Sequence, residues 1–123
     1  MKTIRLRGVV SRHLGRGAKL GYPTANIDVP LGTAEGIFFG QTVVAGGSWP
    51  SVIFVGAPET FGETDKRAET HLLDFKGDLH GQEIELEIYQ KYRDNRKFPD
   101  AEALRRQMKA DEAAAREFFK DKQ

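Results

Sequence analysis

Residues 83–89, Glu-Ile-Glu-Leu-Glu-Ile-Tyr, leave little freedom in how they fold. Ile84, Leu86 and Ile88 alternate with Glu83, Glu85 and Glu87, a period of two that suits a β-strand and no helix. A strand that is apolar on one face and acidic on the other packs one side on a core and wets the other, as antiparallel sheets do. Such a strand needs neighbours, and the chain supplies them. Residues 3–10 alternate, with Ile4, Leu6 and Gly8 opposite Arg5, Arg7 and Val9. Residues 36–45 are rich in β-branched and aromatic types and follow a turn signal at residues 30–32. After Gly46-Gly47, residues 51–55 read as a strand, residues 57–66 as a polar loop, and residues 67–75 as strand again before a turn at Gly77-Asp78.

The periodicity changes after Pro99. Asp100 is placed to cap a helix N-terminus, and Glu102 puts negative charge in the first turn, where the helix dipole favours it. Leu104, Met108, Ala115 and Phe119 then recur at helical spacing, which predicts one amphipathic helix from residue 101 to about 120. Several strands and one terminal helix predict a mainly β fold: a small closed or nearly closed antiparallel barrel with the helix packed outside. The chain has 123 residues, within the usual single-domain range of about 100–150, and shows no linker or repeat. One domain over residues 1–123 is expected.

Composition narrows the chemistry. There is no cysteine, so disulfides, thiolate nucleophiles and Cys-based zinc sites are excluded. His13, His71 and His80 lack the i, i+4 spacing of a helical metal pair. The formal net charge is +1, without a basic block, so neither nucleic acid nor an anionic membrane is an expected partner. No apolar run is long enough to span a bilayer and no signal-peptide core is present, which makes the cytoplasm the expected compartment.

Three segments carry polar groups that ask for a reason. In residues 15–26, Gly-Arg-Gly-Ala-Lys-Leu-Gly-Tyr-Pro-Thr-Ala-Asn, closely spaced glycines let backbone N–H groups approach an anion. Lys19 and Arg16 add positive charge. Thr24 and Asn26, two residues apart on an extended segment, turn two hard oxygen ligands to one side, suited to a Mg²⁺ that already bridges phosphates. The P-loop pattern is absent, and a glycine-rich surface loop between strands accounts equally well for the stretch. Glu69 lies mid-strand, where it could take a proton from an alcohol during phosphoryl transfer, or simply face solvent. Residues 92–98, Tyr-Arg-Asp-Asn-Arg-Lys-Phe, read either as a flap over a planar ligand or as a solvated connector.

Taken in order, these segments resemble the riboflavin kinase family, found as stand-alone enzymes and as the C-terminal module of bacterial FAD synthetases. The resemblance runs over almost the whole chain, from Arg7-Gly8-Val9-Val10 through the Pro-Thr-Ala-Asn motif at residues 23–26 and Glu35-Gly36-Ile37-Phe38-Phe39-Gly40. It continues through Glu69-Thr70-His71-Leu72-Leu73-Asp74-Phe75, residues 77–81, Arg93, Lys97-Phe98 and Asp111. It implies a six-stranded antiparallel Greek-key barrel with a C-terminal α-helix, and transfer of the ATP γ-phosphate to the riboflavin 5′-hydroxyl, giving FMN and ADP.

The resemblance also implies roles. Thr24 and Asn26 match residues that hold the metal, Mg²⁺ with Zn²⁺ as the alternative, and the ATP phosphates. Gly15, Gly17, Lys19 and Gly21 match the loop that covers the nucleotide, and Leu72, Asp74 and His80 match its walls. Glu69 matches the catalytic base. Arg93, Arg96 and Phe98 fall on the flavin side. Riboflavin and ATP are thus the expected partners and a monomer the expected state. The departures are His13 for a glycine, His80 for a frequent tyrosine, Asn95 for a frequent glutamate, and Ala57-Pro58-Glu59-Thr60-Phe61 at a family turn. No adenylyltransferase domain precedes the barrel, so a chain complete from Met1 is expected to stop at FMN. The competing expectation is a flavin-binding module that keeps the barrel without catalysis.

Overall fold

A computed structural model describes residues 3–11, 24–56 and 66–120. Six strands are present among them: β1 (Ile4–Val9), β2 (Thr24–Val29), β3 (Gly36–Val44), β4 (Gly47–Gly56), β5 (Lys66–Leu72) and β6 (Glu83–Arg93). One helix, α1 (Ala101–Lys120), follows. The strands form one antiparallel sheet in the order β1-β6-β3-β4-β5-β2. Within it, β6-β3-β4-β5 has the Greek-key arrangement: three successive strands, with the fourth returning to lie beside the first. The sheet curls until its two edge strands approach, and Ser11 N–H donates to Asn26 O at 2.9 Å across that gap. The result is a nearly closed barrel, as the alternation predicts.

Alternation decides what fills it. Ile84, Leu86 and Ile88 of β6 are buried, as expected, and they meet Ile27, Ile53, Val55, Ala68 and Phe38 inside the barrel. Three hydroxyls are buried there as well. Thr42 Oγ1 lies 2.8 Å from both Ser51 Oγ and Thr70 Oγ1, and Ser51 donates to Trp49 O at 2.8 Å. Each hydroxyl has one proton, so the chain of donors runs Thr70 to Thr42 to Ser51 to the carbonyl, and all three are satisfied.

Several strand boundaries differ from the sequence expectation: β5 stops at Leu72 and not at residue 75, β6 runs on to Arg93 beyond residue 89, and the segment holding Thr24 and Asn26 is a full strand. Ala45 belongs to the β3–β4 turn, because a two-residue hairpin of type I′ needs positive φ at both central positions, and Ala45 and Gly46 have φ of 51° and 79°. In turn β4 starts at Gly47 and runs through Pro50. Regular pairing with β5 ends at Ser51 and Leu72: at Pro50 the carbonyl still accepts from Leu73 N–H at 2.8 Å, and the return bond is missing because proline has no N–H. Gly40 sits at a register shift between β3 and β6, where a Cβ would collide with the carbonyl oxygen of Glu87.

The helix packs outside the barrel. Ala115 and Phe119 join Phe39 and Leu73 in a second apolar cluster, with Val52, Tyr89 and Phe118 around it. Asp100 caps the helix as predicted: its Oδ1 accepts from Ala103 N–H at 2.8 Å. Asp100→Ala should therefore lower stability by about 1 kcal/mol, read as a fall of roughly 3–6 °C in Tm.

Candidate active site

The outer face of the barrel and the helix bound a cleft. β2, β4 and β5 lie side by side, so residues of one parity share the outer face. Glu69 of β5 stands directly between Asn26 of β2 and Phe54 of β4, while His71 stands between Thr24 and Val52. Directly opposed residues of antiparallel strands face the same way. This face therefore gathers a hydroxyl, a carboxamide, a carboxylate and an imidazole. The alternation of β5 left open which face Glu69 takes; burial of Ala68, Thr70 and Leu72 in the barrel turns Glu69 outward, toward the helix side.

Across from this face stand the 94–100 connector and the first half of α1. Thr24, Ile37, Val52, Phe54, Glu69 and His71 on the barrel side, with Arg93, Asn95, Arg96, Phe98, Leu104, Met108 and Asp111 opposite, line an open cleft. Its walls combine apolar surface with a few convergent polar groups, as ligand sites do. Burial is the main reason the pKa of His71 is held below the usual imidazole value; nearby Glu112 pulls it up and Arg116 pushes it down. His71 is therefore neutral at pH 7.

A buried ion pair braces the cleft. Arg93 donates from Nε to Asp111 Oδ1 at 3.0 Å and from Nη2 to Asp111 Oδ2 at 2.7 Å. This is the bidentate fork that suits guanidinium to carboxylate, and it ties the end of β6 to the helix. Asn95 adds a second tie, donating from Nδ2 to Val55 O at 3.1 Å.

Thr24 Oγ1 is buried and has no hydrogen-bond partner among the described residues. A dry hydroxyl oxygen without a partner is costly unless a ligand or cation completes it. It is a hard donor of the kind Mg²⁺ takes, and Asn26, buried on the same face, can supply a second. Among the described residues no group of three or more His, Cys, Asp or Glu could hold a metal. A divalent ion at Thr24 would thus draw most of its shell from phosphate oxygens and water, and the donor set fits such an ion.

Of the residues singled out in the sequence, the structure brings together Thr24, Glu69, Arg93, Arg96 and Phe98, with Asn26 beside Glu69 in the register. Others stand apart. Leu72 points into the barrel core and is 3% exposed. Asp74, at positive φ in the turn after β5, pairs with Arg116 of the helix at 2.9 and 3.0 Å; that guanidinium holds its carboxyl below the usual range. His80 is exposed, and its backbone N–H donates to Asp78 Oδ1. Gly15, Gly17, Lys19 and Gly21 lie outside the described residues.

The sequence reading missed Ile37, Val52, Phe54, His71, Asn95, Leu104, Met108 and Asp111 as cleft residues. For His71 a signal existed, since it is two residues from Glu69 on the same strand and must share its face. In the sequence Leu104 and Met108 show only as part of the helix's apolar spacing.

A family model described as "Flavokinase: Riboflavin kinase" matches residues 1–119. The chain is 36% identical over 121 residues to the bifunctional riboflavin kinase/FMN adenylyltransferase of Pseudomonas fluorescens, covering 94% of this chain and 38% of that protein. It is 34% identical over 108 residues to the RNA-binding riboflavin kinase RibR of Bacillus subtilis (strain 168), covering 86% of this chain and 47% of that one. The chain thus spans less than half the length of either relative. Among solved structures, riboflavin kinase from Trypanosoma brucei shares the fold, with a TM-score of 0.71 and 23% identity, covering 98% of this chain and 79% of that chain. The barrel, its outer helix and the match over residues 1–119 lead to one assignment: the chain belongs to the riboflavin kinase family.

Proposed function

We propose that this chain transfers the γ-phosphate of ATP to the 5′-hydroxyl of riboflavin, with Glu69 as the general base. The observation that carries the reading is the meeting of Glu69, Thr24 and the Arg93–Arg96–Phe98 wall in one cleft. A phosphoryl acceptor, a carboxylate to deprotonate it and a site for the phosphates must lie within a few ångströms of one another. In this scheme the riboflavin hydroxyl oxygen attacks the γ-phosphorus, the bond to the bridging oxygen of ADP breaks, and the hydroxyl proton passes to Glu69 and then to water. Arg96 and Phe98 offer a cation and a ring to the isoalloxazine, with Ile37, Phe54 and Met108 as apolar walls.

The family uses ATP as co-substrate with a divalent metal. For this chain we assign Mg²⁺, with Zn²⁺ as the alternative, held through Thr24 and Asn26. When bound, such an ion neutralises charge on the phosphates. Gly15, Gly17, Lys19 and Gly21 are assigned to nucleotide covering. Leu72, Asp74 and His80 are assigned to its walls, Leu72 through the strand it anchors. The proposed partners are riboflavin and ATP, and the chain is taken as one domain acting as a monomer. No nucleic-acid partner is proposed at a net charge of +1. Among the described residues no helix is long and apolar enough to cross a membrane.

The test is direct. The protein is incubated with riboflavin, ATP and Mg²⁺, and FMN is sought by chromatography, with a chelator-treated control. FMN formation that stops with the chelator supports the reading; riboflavin binding without FMN would favour a binding module instead. Thr24→Val should raise the metal concentration for half-maximal turnover by at least about 10-fold, the cost common even for outer-shell partners of a metal. A metal titration checks it, and an unmoved midpoint would remove Thr24 from the metal site.

A further inference from the structure

Arg96 and Phe98 sit in a connector that has no strand or helix of its own to hold it. Arg96 is instead held from the helix by Gln107, which does not itself line the cleft. The Gln107 carboxamide oxygen accepts from Arg96 Nη2 at 3.1 Å, and its nitrogen donates to Asp111 Oδ1 at 2.9 Å. The same Oδ1 accepts from Arg93 Nε. The amide has only one workable orientation. Turned over, it would aim N–H groups at a guanidinium, which cannot accept, and an oxygen at a carboxylate, which cannot donate. Arg96 in turn lies over the Phe98 ring, 5.2 Å from its centroid.

We propose that Gln107 is a positioning residue for flavin binding, fixing the Arg96–Phe98 pair before the ligand arrives by linking Arg96 to the buried Asp111 carboxylate. The inference rests on the flavin reading of the cleft. Its physical content is preorganisation. A planar ring that meets an already ordered cation and ring spends less of its binding energy on ordering them. Among the described residues the hydrogen bonds of this network join Arg93, Arg96, Gln107 and Asp111 and not Thr24, so the effect should be confined to the flavin.

The test measures kcat and both KM values for the wild type, Gln107→Met, Arg96→Met and the double variant. Methionine keeps the length and helix propensity of glutamine and removes both hydrogen bonds. Gln107→Met should raise the riboflavin KM by about 5- to 20-fold, the range of one or two lost polar contacts. The ATP KM should move less than about two-fold, since ATP makes no use of these hydrogen bonds. In the Arg96→Met background, Gln107→Met should add nothing, because residues acting through one contact are not additive. An unmoved riboflavin KM, an equal rise in both KM values, or additive effects would each overturn the proposal. Wild-type turnover separates the two layers. No FMN from the wild type overturns the flavin reading and this inference together, whereas FMN with an unmoved Gln107→Met KM overturns only the inference. Melting curves of each variant confirm that the same folded protein is compared.

Discussion

Replacing Glu69 by glutamine should lower kcat by about 10²–10⁴-fold, the usual contribution of a positioned general base. That factor corresponds to about 3–5 kcal/mol of transition-state stabilisation. Glutamine keeps the shape of the side chain and its place on β5 between Asn26 and Phe54, so riboflavin affinity should survive. Flavin fluorescence titration and single-turnover chemistry would therefore part company: binding retained, phosphoryl transfer lost. The rival base in the same cleft is His71, which is neutral at pH 7 and hence able to accept a proton. The pair of variants decides between them. If Glu69→Gln turns over at near-normal rate while His71→Gln does not, the base is misassigned. A large loss in the first alone supports Glu69.

The second large effect concerns stability. Asp111→Ala leaves the Arg93 guanidinium without the carboxylate that grips it through two hydrogen bonds, and leaves Gln107 without its acceptor. Breaking a buried pair by removing one partner commonly costs about 3–5 kcal/mol. Arg93 keeps 19% side-chain exposure and can recruit some water, so the lower end, about 3 kcal/mol, is expected. For a domain of this size that is a fall of roughly 10–15 °C in Tm. The pair Arg93→Met with Asp111→Leu should recover most of that loss, because no charge is then buried alone. It should not recover flavin affinity, since the wall of the cleft stays rebuilt. A double variant no more stable than Asp111→Ala would show that the pair matters for something other than charge compensation.

How far the sequence reaches can be judged from individual residues. Alternation at Ile84, Leu86 and Ile88 placed those side chains in the core, and they are there. The Asp100 cap and the span of α1 follow from local rules, because a helix end must find its hydrogen-bond partners nearby. Strand ends were less legible. Ala45 looks like a strand residue until the hairpin demands positive φ of it, and β4 begins at Gly47, four residues before the segment that reads as a strand.

For the site the division is similar. Thr24, Glu69, Arg93, Arg96 and Phe98 could be singled out one by one, and their joint order resembled a family. Their meeting in one cleft could not be read from spacing, since β2, β5 and the 94–100 connector are distant along the chain. Leu104 and Met108 belong to the same apolar stripe as Ala115 and Phe119, yet the first two line the cleft and the last pair with Leu73 and Phe39 in a packed cluster. A stripe records that a helix face is dry, not what lies opposite.

By itself the sequence determined most of the element types, the inward face of β6, the helix and its cap, and through the order of its motifs the family. These depend on contacts between near neighbours, or on the two- and 3.6-residue periods that residue types reveal directly. Only the tertiary structure decided that Glu69 faces the helix side, that Asp111 grips Arg93, and that Gln107 holds Arg96. Each of those contacts joins segments whose approach is set by how the whole barrel curls and where the helix docks on it. No local pattern of residues carries that information.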